Sequence, residues 1–184
     1  NPDEIKPLVE KYIGSIAKGK KADKINLDNF VGFAKGQIDE TVKIPMETPK
    51  STVVQLYSAY MPVDTKTEVA LSVANYVLDM IYTKTIREGE GGTYGVGTAM
   101  VGQRLPVERV LIQVQFDTNP EMAERLAELA KKGLKELAEN GPDAEKFNKA
   151  IENFKKNIPE KRINNSYWMN NLSQYYDYGI DYDK

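Results

Sequence analysis

Ile86-Arg87-Glu88-Gly89-Glu90-Gly91-Gly92-Thr93-Tyr94-Gly95-Val96-Gly97 marks the place where a long apolar segment gives way abruptly to glycine. Upstream, Val69, Ala70, Leu71, Val73, Ala74, Tyr76, Val77, Leu78, Met80 and Ile81 cover most of the surface of a helix predicted over 65–86. Such a helix is buried on more than one side. Thr65 with Glu68 makes a capping-box pattern at its start. Downstream, 94–101 and 109–118 read as strands. In the second, Val110, Ile112, Val114 and Phe116 face one way, and Gln113 and Gln115 face a wetter side. A glycine turn between a buried helix and a strand is a common means of holding polar side chains in fixed positions. Here Arg87 and Tyr94 bracket the glycines.

Outward from this stretch, residues 2–16 read as a helix with Asn1 as cap, Pro2 in its first position and Ile5, Leu8, Val9, Tyr12, Ile13 and Ile16 on one stripe. Residues 17–27 are Lys-rich and read as a surface connection. Residues 30–44 are predicted as a strand with Gly32 and Gly36 as possible bulges, and 51–60 as a stronger, β-branched strand. After the glycine stretch and its strand pair, a helix capped by Asn119 runs to Gly141-Pro142. Another spans 143–158, where Pro159 breaks or kinks it, and helical patterning resumes over 163–176 before a short acidic tail. The order is helix, strand, strand, helix, strand, strand, helix, helix, helix. That is an α+β architecture: an antiparallel-rich mixed sheet with helices packed mainly on one face. Residues 1–29 are expected to form an N-terminal helix and connection, the remnant of a preceding domain or of the first half of a repeat, and 30–184 the main domain.

Composition narrows the chemistry. The 184 residues carry a net charge of -2, so no basic excess favours nucleic acid. No apolar run approaches the roughly 20 residues of a membrane span. The chain has no histidine and no cysteine. This excludes Ser-His and Cys-dependent catalysis within the chain and disfavours a transition-metal site built from it alone. The glycine stretch fails as a phosphate loop, because Tyr94 and Met100 stand where third glycines are needed and the glycines lead from helix into strand. On composition alone it reads as a helix C-cap, with Gly89 left-handed and Arg87 facing the helix dipole. The aromatic set Tyr167, Trp168, Tyr175, Tyr176, Tyr178 and Tyr182 has helical spacing, which reads as core or interface packing.

The helix over 71–86 followed by Arg87-Glu88, the glycines, Thr93-Tyr94-Gly95-Val96, a strand pair and helices resembles the C-terminal-half domain of the pitrilysin/insulinase family of zinc metallopeptidases. The opening Asn1 to Ile13 is similar to the helix that follows a short strand in that family, so a fragment or processed product is expected. The resemblance implies an active site assembled from two halves. An H-x-x-E-H motif in the N-terminal half binds zinc, and the glutamate activates water. Arg87 would bind the carbonyls of a peptide substrate and Tyr94 would donate to the developing oxyanion inside an enclosed chamber. It also implies peptides bound as an added strand on a sheet edge. With no histidine, this chain cannot carry the motif, so it is expected not to be a competent peptidase alone. The zinc, and the metal-bearing N-terminal half or partner subunit, would lie elsewhere. The alternative is a scaffold or assembly subunit of the same fold. The compartment stays open between cell envelope and cytoplasm.

Overall fold

The computed structural model describes residues 1–19 and 26–180, and these fall into two units, Asn1–Gly32 and Phe33–Lys184. Part of the predicted 17–27 connection, the acidic tail and Tyr182 lie outside the described residues.

In the first unit, helix α1 spans Pro2–Tyr12, and the Asn1 side chain caps it by accepting from the Asp3 N–H. The helix stops short of the predicted residue 16. The Gly14 N–H reaches back to the Val9 carbonyl, closing the helix with the wider bond common at glycine ends. Ile5, Leu8, Val9 and Tyr12 form the anticipated stripe, and all four are exposed.

The second unit holds β1 (Ser51–Tyr60), α2 (Thr65–Tyr82), β2 (Gly97–Gln103), β3 (Arg109–Thr118), α3 (Ala123–Asn140), α4 (Ala144–Arg162) and α5 (Asn165–Tyr178). The strands form one sheet in the order β1-β3-β2, and both pairings are antiparallel. The architecture is α+β. The predicted strand over 30–44 is corrected: these residues are irregular, and Val31, Phe33, Ile38, Val42 and Ile44 are exposed. They alternate only in part, with Val31 and Phe33 of one parity and Ile38, Val42 and Ile44 of the other, so pairing would split them between both faces, and Gly36 turns the chain at φ 86°. Phe33 instead lies under the Arg109 guanidinium, 4.8 Å from the ring centre.

One face of the sheet is dry. Val114 and Phe116 of β3 pack with Val77, Leu78 and Tyr82 of α2, Leu126 and Ala130 of α3, and Ala150 of α4. Burial on this scale, at about 25 cal/mol per Å² of apolar surface, is the main force holding the helices to the sheet. Tyr82 is fully buried and donates its hydroxyl to the Ala130 carbonyl at 2.7 Å. Burial pushes its ionisation well above the ordinary tyrosine range. Gly133 lets α3 approach, because a Cβ there would stand 2.9 Å from the Tyr82 ring. The other sheet face, with Gln115 and Asp117, is open.

Several predicted ends move. Asp64, one residue before the predicted Thr65, caps α2 and accepts from the amide and hydroxyl of Thr67, both at 2.7 Å. Glu68 turns instead to Arg104 at 2.8 Å. Arg104 also donates to the Val63 carbonyl and to Gln174, and faces the Tyr178 ring, which fastens α5. Helix α4 runs through Pro159 to Arg162. Proline removes one backbone bond, and in this exposed last turn water can serve the freed carbonyl. The aromatic residues of α5 do not form core: Trp168, Tyr175 and Tyr176 are exposed, paired edge to face with Tyr167 or with each other.

Tyr82→Phe should destabilise the domain by about 1 kcal/mol, the worth of one buried hydrogen bond, in a urea titration. A loss below measurement would mean the hydroxyl is not bound. The Asp64 carboxyl lies below the usual range because it accepts from Thr67. A lowered folded-state value stabilises above the unfolded value and is lost as pH falls through the folded one. Asp64→Asn should therefore flatten the loss of stability below about pH 4; an unchanged acid limb contradicts the cap.

Candidate functional site

The site is built on the segment leaving α2. Past Tyr82 the helix widens into a π-type turn over Thr83–Glu88, which keeps Ile86 fully buried and leaves Arg87 exposed. Such widened turns are rare and recur at functional positions. The Gly89 amide closes this turn onto the Ile86 and Lys84 carbonyls at φ -72°, so Gly89 is not left-handed as predicted. Gly91, at φ +63°, is the residue that takes the left-handed turn, and its N–H bonds to the Arg87 carbonyl at 3.2 Å.

Gly92 is the anchor. Its carbonyl accepts from the buried Thr118 hydroxyl at 2.6 Å, at the end of β3. A Cβ on Gly92 would meet Met122 Cε at 2.5 Å and Leu126 Cδ1 at 3.1 Å, so only glycine fits without displacing these side chains. Glu90 pairs with Arg125 of α3 at 2.9 Å, a surface pair of small energy that nonetheless adds a second tie. The Thr93 hydroxyl donates to the Gly95 carbonyl at 2.9 Å, and β2 begins at Gly97.

Arg87 and Tyr94 therefore flank an anchored loop, with Tyr94 fully exposed. Among the described residues neither side chain has a hydrogen bond or ion pair, and none joins the two. The backbone is fixed while both polar groups are free, an arrangement suited to binding something outside the domain. The anchors Thr118 and Glu90 were not singled out from sequence. A threonine sharing the buried parity of Val114 and Phe116 was the available signal, since a buried hydroxyl needs a partner.

The chain lacks histidine and cysteine, and among the described residues no three Asp or Glu side chains gather to hold an ion. No described helix is long and apolar enough to cross a membrane.

The sequence matches the family described as Peptidase M16 inactive domain over residues 1–154. A comparison with curated protein sequences finds no match. Among solved structures the chain is similar to the periplasmic protease PqqL from Escherichia coli, with TM-score 0.70 and 19% identity over 97% of this chain and 20% of that one. It is also similar to the ferredoxin protease FusC, solved as a point mutant in complex with Arabidopsis ferredoxin, with TM-score 0.65 and 15% identity over 97% of this chain and 19% of that one. The chain thus spans about a fifth of either protein, and at these identities the likeness is one of fold.

Thr118→Val should cost about 1–2 kcal/mol by leaving the Gly92 carbonyl unbonded. It should also speed amide hydrogen exchange across 89–95. Exchange at the wild-type rate would show that the loop is held by other contacts.

Proposed function

The chain belongs to the Peptidase M16 inactive-domain family, and from that premise we propose that it completes the substrate site of a zinc-dependent endopeptidase without holding the metal. The observation that carries this reading is the exposure of Arg87 and Tyr94 beside a loop otherwise tied down at Ile86, Glu90 and Gly92. A helix cap needs neither side chain presented in this way.

In this reading Arg87 donates hydrogen bonds to main-chain carbonyls of a bound peptide and sets its position. Tyr94 donates to the scissile carbonyl oxygen as it gains charge, a bond stronger in the transition state than in the ground state. The residues of this chain do not fit a zinc site, so the metal belongs to a separate metal-bearing half, and Arg87 and Tyr94 act on the peptide itself. The two halves enclose the peptide in a chamber. PqqL is a periplasmic protease and FusC a ferredoxin protease solved with ferredoxin bound, which supports peptides or small proteins as the substrate class.

The test mixes this domain with its metal-bearing half and follows peptide cleavage. Tyr94→Phe should lower kcat by about 10²–10³-fold, the usual cost of one oxyanion donor. Arg87→Ala should chiefly raise KM, by about tenfold or more, as expected for a charged hydrogen bond to substrate. Both side chains are exposed, so circular dichroism and melting should not change. Wild-type rates in both variants would leave the domain a scaffold of the same fold.

A further inference from the structure

The open face of the sheet carries a hollow of about 400 Å³ that Arg87 and Tyr94 do not line. Register explains its shape. Gly97 of β2 stands opposite Gln115 of β3, and Ala99 opposite Gln113. Two residues with little or no side chain thus lie beside two long ones. Asp117 closes one end, and its carboxylate is already engaged by the Thr52 hydroxyl at 2.6 Å and by Lys50 at 3.0 Å. The hollow presents no uncompensated charge from this residue.

The glutamines are oriented by each other. Gln113 Nε2 donates to Gln115 Oε1 at 3.1 Å. This bond leaves the Gln113 Oε1 acceptor and the Gln115 Nε2 donors without another partner among the described residues. An acceptor and a donor side by side complement a group that itself offers one N–H and one C=O, which is an amide. A carboxylate would satisfy Gln115 and be opposed by the Gln113 oxygen, and an ammonium would do the reverse. The hollow begins at Gly97, three residues after Tyr94, on a strand whose outer side has no strand partner among the described residues.

We propose that this hollow is an amide-recognising subsite, in which Gln113 and Gln115 bind an amide group of an extended peptide. The amide comes from an Asn or Gln side chain or from the peptide main chain. This rests on the domain acting as the substrate-binding part of a peptidase, and it adds a selectivity that Arg87 and Tyr94 do not supply.

The experiment titrates the isotopically labelled chain with a short Thr-rich peptide containing one Gln, and with the same peptide carrying Met in its place. The side-chain NH₂ signals of Gln113 and Gln115 are followed by NMR. Shifts with the Gln peptide alone assign the side-chain amide, and shifts with both assign the main chain. Unmoved signals with both peptides overturn the proposal. Gln115→Glu keeps size and the bond from Gln113 but removes the donors. It should weaken binding about tenfold, the worth of one or two neutral hydrogen bonds, and unchanged affinity also overturns the subsite. Cleavage by the mixed enzyme separates the two failures. If Gln115→Glu has no effect while Tyr94→Phe lowers turnover as expected, only the subsite is wrong. If neither matters, the peptidase reading falls with it.

Discussion

The hydrogen bond from Thr118 to the Gly92 carbonyl holds the candidate site together. It joins the end of the central strand to the loop leaving the central helix, at a spot where a Cβ would displace Met122 and Leu126. A polar bond in an apolar setting gains strength from the absence of competing water and is costly to break. The sheet and the helix pair α2–α3, already joined by their shared apolar core, are thereby both tied to one loop. The exposed Arg87 and Tyr94 inherit their positions from that lock rather than from contacts of their own.

Much of this was legible in the sequence where local pattern and tertiary packing agree. Val110, Val114 and Phe116 alternate with Gln115 and Asp117, and β3 takes the inner face that this pattern requires. The near-continuous apolar surface of 69–81 announced a central helix, and its second half is packed between sheet and helices. The pattern misled where it lacked a partner to settle it. Residues 30–44 have strand-forming types but only partial alternation, and a strand is stable only when paired. Pro159 reads as a helix end, yet an exposed final turn tolerates the lost bond. The capping box at Thr65 lost to Asp64, which binds two Thr67 donors and frees Glu68 for Arg104.

The candidate site was legible as two residue types at a given spacing, and no further. Which glycine turns the chain and which one packs depends on Met122, Leu126 and Thr118, all distant in sequence. The Gln113–Gln115 pair could be placed on the wet face by parity alone. Its hollow required the register that sets Gly97 and Ala99 beside it. Such register information is non-local, so composition and periodicity do not contain it.

In the proposed site, Tyr94 meets the reacting carbonyl of a peptide enclosed between the two halves of the enzyme. A crystal structure of the two halves together with a phosphinic peptide, whose tetrahedral phosphorus oxygens stand in for the oxyanion, tests this most directly. The expected result is a Tyr94 hydroxyl within about 2.7–3.1 Å of one such oxygen, with Arg87 on a neighbouring carbonyl. A Tyr94 hydroxyl that faces bulk solvent in that complex, out of reach of the inhibitor, would contradict it.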